Sequence, residues 1–359
     1  MKKAKLNPRL KKNKINKIII FILSLKYILN NITTNNGTAN ISKYSYLHKN
    51  INQNFNKEIN LKKNLIITIV VRYSWEKILP FIKSVIRINN RNFDIVIFIS
   101  EVSQQVKDNL KSLGIIIYEI STKMKSAYHI FRQRWKIFSD FLENNKIKYN
   151  IVLCLDIRDT IIQKEFFSLY ENYSNFLGFS YESSTLERLI HKDYIINNFS
   201  EKIYKMIENE RNINCGTIWG TINDFIFLSK TIYKNLLIHF SVDQTILNYL
   251  IYVENILKNR TIIFSDEYGP VLTLGLTKRN KIKLDSENNI LNFNNKIASI
   301  VHQYDRNKDI KRIIKQKYCP ELNYYKKIFI LFVMDQILML ILIIKIFVYF
   351  YFKKNYFKK

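Results

Sequence analysis

The chain has 359 residues, enough for one large domain or two ordinary ones, and its hydrophobic content of 47% excludes a largely disordered protein. It carries 57 lysine and arginine residues against 29 aspartate and glutamate residues, which gives a formal net charge of +28. Its three cysteines lie far apart and form no C-x-x-C motif, which argues against a disulfide framework and a structural zinc site.

A large basic excess is typical of proteins that bind nucleic acid. Much of the charge, however, lies in two terminal clusters, MKKAKLNPRLKKNKINK at the start and KKNYFKK at the end. Each cluster flanks an apolar segment, a pattern that also suits an anionic membrane surface. Because we find no zinc-finger spacing, no RNP-type aromatic motif and no clear helix-turn-helix, we expect no nucleic-acid partner. A basic nucleic-acid-binding protein stays an alternative interpretation.

The first 60 residues divide into two parts by composition. Residues 1–30 combine a basic start with a short apolar stretch, IIIFILSLKYIL, at Ile18–Leu29. This stretch is compatible with a signal-peptide core, a weak membrane anchor or an interfacial helix. Residues 31–60 are polar and rich in asparagine, and we interpret them as a linker.

From Asn64 onward, apolar runs alternate with segments whose apolar residues recur at helical spacing. The predicted strands are LIITIVV (Leu65–Val71), FDIVIFIS (Phe93–Ser100), IIIYEIS (Ile115–Ser121) and YNIVLCL (Tyr149–Leu155). The segments between them are SWEKILPFIKSVIRI, EVSQQVKDNLKSLG and AYHIFRQRWKIFSDFLENN, and Gly114 stands at the natural C′ position of the second. This alternation of apolar strands and helices predicts an α/β fold, with a mostly parallel sheet flanked by helices.

The fourth predicted strand ends in a charged stretch, DIRDTIIQ, which places Asp156, Arg158 and Asp159 directly after an apolar run. A turn beginning at Ile157 would bring Asp159 back beside Asp156. Two neighbouring carboxylates repel each other unless they share a cation or a proton, and Mg²⁺ and Mn²⁺ favour such oxygen ligands. A surface turn in which Arg158 pairs with one aspartate explains the same residues, so this stretch alone leaves both interpretations open.

Two later segments carry small or polar residues that suit a binding site. NCGTIWG, at Asn214–Gly220, contains small residues that let the backbone approach a ligand. A plain turn before a helix that starts near Ile222 explains this segment equally well. DQTILNYLIY is predicted to begin a helix with Asp243 as its N-cap, and capping does not account for the adjacent Gln244.

A late histidine closes the series. IASIVHQYDR predicts a strand followed by His302, Asp305 and Arg306. His302 is one of only 5 histidines in the chain. A single histidine after a strand is more often a packing or hydrogen-bonding residue than a ligand, and both roles stay open from this segment alone.

Taken in order, these pieces resemble nucleotide-sugar-dependent glycosyltransferases of the GT-A fold, over residues 64–306. The series is similar to that of the glycogenin and bacterial galactosyltransferase group, in which an aspartate motif and a C-terminal histidine bind Mn²⁺. This chain departs from the usual D-x-D motif, because Arg158 stands where the second aspartate is expected. DIRDTIIQ and HQYDR are more similar to uncharacterised glycosyltransferase-like proteins that carry D-x-R-D-x-x-x-Q and a late H-Q-x-D-R.

The resemblance implies a role for each matching position. A divalent cation, Mn²⁺ or Mg²⁺, would be held by Asp156, Asp159 and His302. The nucleotide-sugar donor would be bound by Asp156, Arg158, Asn214, Gly216 and Arg306. Catalysis would depend on Asp243 and Gln244, with Asp266 as a second candidate for a general base. On the third predicted helix, Arg132 and Arg134 either reach the phosphates or form a solvated helix face.

The implied enzyme is a hexosyltransferase-like glycosyltransferase, assigned to residues 61–319. It would move a sugar from a nucleotide-diphosphate donor to a hydroxyl group of a glycan, lipid or protein, with assistance from the metal. A non-catalytic, membrane-anchored binding protein is the alternative from another class. A nucleotidyltransferase would usually carry a Gly-rich signature after its first strand, where this chain reads VVRYSWEK.

Residues 326–354 are predicted to form a C-terminal membrane segment. Its apolar part, Ile328–Phe352, is 25 residues long and is bracketed by lysines. A helix of this length can span a hydrocarbon core of roughly 30 Å. A buried amphipathic helix is the alternative. We therefore expect a membrane-associated protein with one C-terminal span, in the Golgi or endoplasmic reticulum or in a bacterial inner membrane.

Overall fold

The computed structural model describes residues 62–88, 92–170, 176–187, 189–256, 260–322 and 333–346, and every structural statement below refers to these. The predicted N-terminal anchor and the Asn-rich linker lie outside the described residues. The two terminal clusters of basic residues also lie outside them.

Strands and helices alternate along the chain as the apolar pattern predicts. The strands are β1 (Lys63–Val71), β2 (Phe93–Ser100), β3 (Ile116–Glu119), β4 (Tyr149–Leu155), β5 (Thr160–Ile162), β6 (Leu177–Thr185), β7 (Arg211–Ile213), β8 (Thr217–Thr221), β9 (Thr261–Phe264), β10 (Val271–Thr273), β11 (Lys283–Leu284), β12 (Ile290–Leu291) and β13 (Ile300–His302). The helices are α1 (Trp75–Ile86), α2 (Gln104–Ser112), α3 (Ala127–Asn144), α4 (Phe167–Tyr170), α5 (Leu189–Asn198), α6 (Glu201–Ile207), α7 (Ile222–Ile238), α8 (Asp243–Tyr252) and α9 (Lys308–Tyr318).

The central sheet has the strand order β3-β2-β1-β4-β8-β6-β7, and β9 pairs with β6. Strands β3, β2, β1 and β4 are mutually parallel. Strand β8 runs antiparallel to both β4 and β6, whereas β9 runs parallel to β6. The predicted α/β class, with a mostly parallel central sheet flanked by helices, is therefore confirmed.

Both faces of the sheet are buried, which explains why its strands are apolar at nearly every position. In β1, Leu65 and Ile67 face one layer of the core, whereas Ile66 and Val70 face the other. The first layer is completed by α3 and α7 through Trp135, Phe138 and Phe225. The second layer is completed by α1 and α2 through Ile78, Phe81 and Val106. The two faces alternate along β1 because side chains alternate along any strand.

Gly114 ends α2 as the sequence predicts. Its φ of +71° lies in the left-handed region, and its N–H donates to the carbonyl of Lys111 at 3.0 Å. The N–H of Ile115 donates to the carbonyl of Leu110 at 3.2 Å, which completes the two bonds of a Schellman motif. Glycine suits this position because a side chain disfavours positive φ.

A second sheet of three strands brings β10 and β13 next to β5, the strand that follows β4. Its order is β10-β13-β5, with β13 parallel to β10 and antiparallel to β5. His302 pairs with Thr160 in this register, so His302 lies beside the residue that follows Asp159. The histidine predicted to follow a strand is in fact the last residue of β13.

Among the described residues, no helix is both long enough and apolar enough to cross a membrane. Of the predicted segment Ile328–Phe352, the structure describes only residues 333–346, which are helical. The remaining positions of that segment lie outside the described residues.

Candidate functional site

A cavity of about 780 Å³ opens at the carboxyl ends of β1 and β4. Because β2 lies on one side of β1 and β4 on the other, the chain reverses its direction across the sheet at this place. Open α/β sheets bind ligands in the crevice at such a switch point. The volume of the cavity falls within the ~300–1,000 Å³ range of small-molecule sites. We call this cavity the cleft, and its lining includes Tyr73 after β1 and Asp156 after β4.

Two aspartates and the late histidine converge in the cleft. One potential ligand atom from each of Asp156, Asp159 and His302 lies within 4.8 Å of the other two. His302 Nε2 is 3.9 Å from Asp156 Oδ2 and 3.7 Å from Asp159 Oδ1. These separations are too long for hydrogen bonds. The turn at Ile157 and the pairing of His302 with Thr160 therefore bring together three residues that the sequence spreads over 147 positions, from 156 to 302.

Each aspartate uses one oxygen for arginine and leaves the other facing His302. Asp156 Oδ1 accepts a hydrogen bond from Arg134 Nη1 at 3.0 Å. Asp159 Oδ2 accepts one from Arg158 Nη2 at 2.7 Å, and Arg306 Nη2 lies 3.5 Å from the same oxygen. Arg158 therefore pairs with Asp159, as the surface-turn interpretation expects. The two carboxylates also converge, as the metal-site interpretation expects, so both features occur together.

Because Gly216 has no side chain, Asp156 and His302 have room to lie next to its backbone. A Cβ atom at this position would lie 2.5 Å from His302 Cε1 and 2.7 Å from Asp156 Oδ2. The Gly216 carbonyl accepts the N–H of Asp156 at 2.9 Å. The small residue predicted to let the backbone approach a ligand thus lies directly against two of the predicted metal-binding residues.

The residues present fit a divalent cation of the hard type. Two carboxylates and one imidazole are ligands that Mn²⁺ accepts, and Mg²⁺ favours the oxygens. The glycine at 216 keeps the side of Asp156 and His302 free of a side chain. His302 Nδ1 is buried and has no hydrogen-bond partner among the described residues. Metal-binding histidines usually donate that N–H, so this atom departs from the usual pattern.

Arg134 joins the aspartate cluster to α8. Its side chain is only 7% exposed, and Nη2 lies 2.5 Å from Asp243 Oδ2 while Nη1 bonds Asp156. Burial by itself lowers the pKa of Arg134, but the adjacent Asp243 and Asp156 carboxylates raise it well above its usual value. A solvated helix face, one of the two roles expected for Arg134, is wrong for this residue.

The sequence predicted Asp243 as the N-cap of α8, and this prediction is wrong. Val242 holds that position, and Asp243 is the first helical residue. Its Oδ2 accepts the indole N–H of Trp135 at 3.0 Å and faces Arg134, whereas Oδ1 accepts the N–H of Gln244 at 3.0 Å. Burial raises the pKa of Asp243, and Arg134 and Trp135 oppose that rise. Gln244 also lines the cleft.

One wall of the cleft is a buried network of amides around Glu182. Glu182 Oε1 accepts from Asn214 Nδ2 at 2.6 Å and from Gln303 Nε2 at 3.2 Å. Glu182 Oε2 accepts from Asn212 Nδ2 at 2.8 Å. Asn214 Oδ1 in turn accepts the N–H of Gly216 at 2.7 Å, so this network holds the predicted donor-binding segment. Among the described residues, Glu182 forms no salt bridge.

Sequence reasoning missed Glu182 and Gln303, for two different reasons. Glu182 lies in β6 within SYESST, a stretch without a motif, so no signal marked it. Gln303 belongs to the quoted HQYDR segment, but its role was not recognised. It adopts a left-handed φ of 55°, which directs the chain from β13 into the short turn that carries Arg306.

Two arginines form the polar mouth of the cleft. The side chains of Arg158 and Arg306 are 37% and 47% exposed, so both can reach a bound anion. Asp305 lies 3.4 Å from Arg306 and 3.9 Å from Arg158. Asp266, the second candidate base, bonds Arg211 and Ser183, and it is not part of the cleft lining.

The sequence was also compared with known proteins. No protein-family model matches the chain, and the search of curated proteins found none that is significantly similar to it.

Proposed function

We propose that the protein is a glycosyltransferase that transfers a sugar from a nucleotide-diphosphate donor to a hydroxyl group, with a divalent cation as cofactor. The observation that carries this proposal is the convergence of Asp156, Asp159 and His302 in a cleft at the switch point of the sheet. Two half-exposed arginines stand beside that cluster. A cation site next to partly exposed guanidinium groups suits a ligand that carries phosphates.

The chain's own residues supply several parts of the reaction. Arg158 and Arg306 bind the phosphates and stabilise the negative charge that develops when the glycosidic bond breaks, since guanidinium groups match phosphate oxygens. Asp156, Asp159 and His302 would hold a divalent cation, which would supply further charge stabilisation without any proton transfer.

Asp243 and Gln244 fill different places in this proposal. Both oxygens of Asp243 accept hydrogen bonds, and its carboxylate contacts Arg134. This arrangement favours a role for Asp243 in positioning Arg134 and, through it, Asp156. Gln244 is free to contact the donor sugar or the acceptor from the cleft wall.

The decisive experiment is release of UDP or GDP from a panel of sugar nucleotides by the full chain, with and without Mn²⁺. We expect Asp159→Asn to reduce metal-dependent release by more than the ~10- to 100-fold that loss of an outer-shell partner costs. Asp140→Asn removes the same charge from an exposed pair on α3 and should leave release unchanged.

Three results would count against this proposal. Equal release by the native protein and Asp159→Asn would exclude the cluster from the reaction. Tight binding of sugar nucleotides without any release, in the presence of Mn²⁺ and varied acceptors, would favour the alternative of a non-catalytic binding protein. Salt-sensitive RNA or DNA binding that survives Asp156→Ala would favour a nucleic-acid-binding protein.

A further inference from the structure

Helix α7 and the residue pair after it carry large apolar side chains that the described chain leaves in solvent. Phe227, Leu237 and Ile238 on α7 are 49%, 55% and 70% exposed, and Phe240, just after the helix, is 72% exposed. These four residues form what we call the α7 rim. Phe227 and the pair at 237–238 lie on one face, since residues three or four apart are neighbours on a helix.

The same face of α7 is basic. Lys230 and Lys234 are exposed and lie between Phe227 and Leu237 along the helix. Among the described residues of α7, no exposed residue is acidic. Lys230 pairs with Glu143 of α3, whereas no ion pair of Lys234 is found among the described residues. A helix face that mixes lysines with large apolar residues is typical of helices that lie in a membrane interface.

The α7 rim reaches the mouth of the cleft at its Phe240 end. The ring of Phe240 packs on that of Tyr128 with centroids 4.5 Å apart, and Tyr128 follows Ala127, which lines the cleft. The hydroxyl of Tyr128 donates to the carbonyls of Leu236 and His239, both at 3.1 Å. Two residues after Phe240, Val242 also lines the cleft. A surface that covered the rim would therefore lie next to the opening.

A protein partner suits this surface less well than a membrane does. The centres of protein interfaces are depleted in lysine, whereas interfacial helices combine lysine with buried apolar side chains. Two further exposed lysines, Lys123 and Lys125, precede Tyr128. The charge of the chain, +28, complements an anionic lipid surface.

We propose that the α7 rim inserts into the interface of an anionic lipid membrane, and that the cleft takes its acceptor hydroxyl from a lipid headgroup. The second half rests on the proposed function, whereas the membrane contact rests on the rim itself. Phe227, Leu237, Ile238 and Phe240 enter the boundary between headgroups and acyl chains, and the lysines face the phosphates.

A fluorescent label at Ile238→Cys tests the membrane contact in the full chain. The three natural cysteines are buried, so the introduced thiol is the accessible one among the described residues. On vesicles of phosphatidylcholine and phosphatidylserine we expect a blue shift and quenching by lipids with a nitroxide in the acyl chain. Ser112→Cys, exposed on α2 against the opposite face of the sheet, is the matched control and should show neither change.

Three outcomes of the labelling would overturn the proposal. The label at 238 could stay in a water-like environment while the protein sediments with the vesicles. It could be shielded equally without vesicles, which would mean that another segment of the chain or a second copy covers the rim. Equal quenching at 112 and 238 would show contact without a preferred face.

A second measurement separates this inference from the proposed reaction. The triple variant Leu237→Ser, Ile238→Ser, Phe240→Ser should transfer sugar about tenfold more slowly to a glycoside carried on a long-chain lipid in vesicles, because apolar burial supplies the docking energy. Transfer to the same glycoside in water-soluble form, and release of nucleoside diphosphate to water, should be unchanged. An equal loss on both acceptors would overturn the lipid assignment. No turnover by the native chain would reject the transferase function while the labelling result still decides the membrane contact.

Discussion

At the scale of single residues, the cleft is organised by charges that are paired before any ligand arrives. Arg134 contacts Asp156 and Asp243 at once, and Asp159 contacts both Arg158 and Arg306. Removal of one partner from a buried pair strands a charge and costs ~3–5 kcal/mol. The arginines therefore hold one oxygen of each aspartate in place while the other faces His302.

Gly216→Ala should abolish metal and donor binding while leaving the fold largely intact. The added methyl group would meet His302 Cε1 at 2.5 Å and Asp156 Oδ2 at 2.7 Å, so the two side chains must move apart. Calorimetric titration with Mn²⁺ and with a sugar nucleotide measures the loss.

Gly114→Ala is the matched control for this glycine. An added Cβ at Gly114 meets no atom within 4 Å, but φ is +71°. The variant should lose about 1 kcal/mol of unfolding free energy through backbone strain and bind ligands normally. Unchanged Mn²⁺ binding by Gly216→Ala would remove the cluster from consideration as a metal site.

At the scale of elements, the sheets define two ends of the molecule with different tasks. The carboxyl ends of β1 and β4 open into the cleft. At the amino ends, Asp94 of β2 joins the neighbouring strands: its carboxylate bonds Lys63 at 3.1 Å, Tyr149 at 2.9 Å and Lys148 at 2.9 Å. This end joins the parallel strands to one another, whereas the cleft opens at the other end.

Asp94→Asn should make the free energy of unfolding depend less on pH in the acid range. Burial by itself raises the pKa of Asp94, but hydrogen bonds from Lys148, Tyr149 and Lys63 outweigh it and lower that pKa below its usual value. A lowered folded-state pKa contributes stability above the unfolded value of about 3.9 and loses it as the pH falls through the folded value. Urea unfolding should therefore show a difference between native protein and variant, on the order of 1–2 kcal/mol, that is constant from about pH 5 to 7 and shrinks below about pH 4.

Asp140→Asn provides the reference for this pH series. Its pair with Lys136 is exposed, and such pairs contribute only a few tenths of a kcal/mol. The prediction for Asp94 is wrong if both variants follow the native pH profile with the same offset throughout.

At the scale of the whole molecule, the residues that could hold an ion come from distant parts of the chain, so that folding must precede binding. The cluster is assembled from the end of β4, the turn into β5 and the end of β13. Any ion that binds there binds the folded chain alone and stabilises it by mass action. The long-range pairing of β13 with β5 is the contact that such an ion would support.

Mn²⁺ should raise the melting temperature of the native protein. At a metal concentration of 100 times Kd, the expected gain in unfolding free energy is about 2.7 kcal/mol. Scanning calorimetry with increasing Mn²⁺ measures it, and Asp159→Asn should abolish the gain while Asp140→Asn keeps it. An equal shift in all three proteins would point to nonspecific binding at carboxylates outside the cluster.

The four parallel strands were predictable because their signal is local. Buried strands are continuous apolar runs, so the predicted bounds of β2 and β4 coincide with those observed, and the end of β4 placed Asp156 at the ligand-binding edge. The positive φ of Gly114 was also predictable, since it follows from the end of one helix. The prediction of Asp243 as N-cap of α8 was wrong, because Val242 holds that position and the Asp243 carboxylate contacts Arg134 and Trp135.

The α/β class, the order of the first strands and helices, and the edge at which the acidic stretch stands all follow from local patterns in the sequence. Three contacts follow only from the folded chain: His302 meets Asp159 through the pairing of β13 with β5, Arg134 is buried between two carboxylates, and Glu182 anchors the cleft wall. The two groups differ in the distance along the chain over which their contacts act. Helix and strand patterns depend on neighbours a few residues away, whereas these contacts join residues 22 to 143 positions apart, whose approach depends on how the whole chain packs.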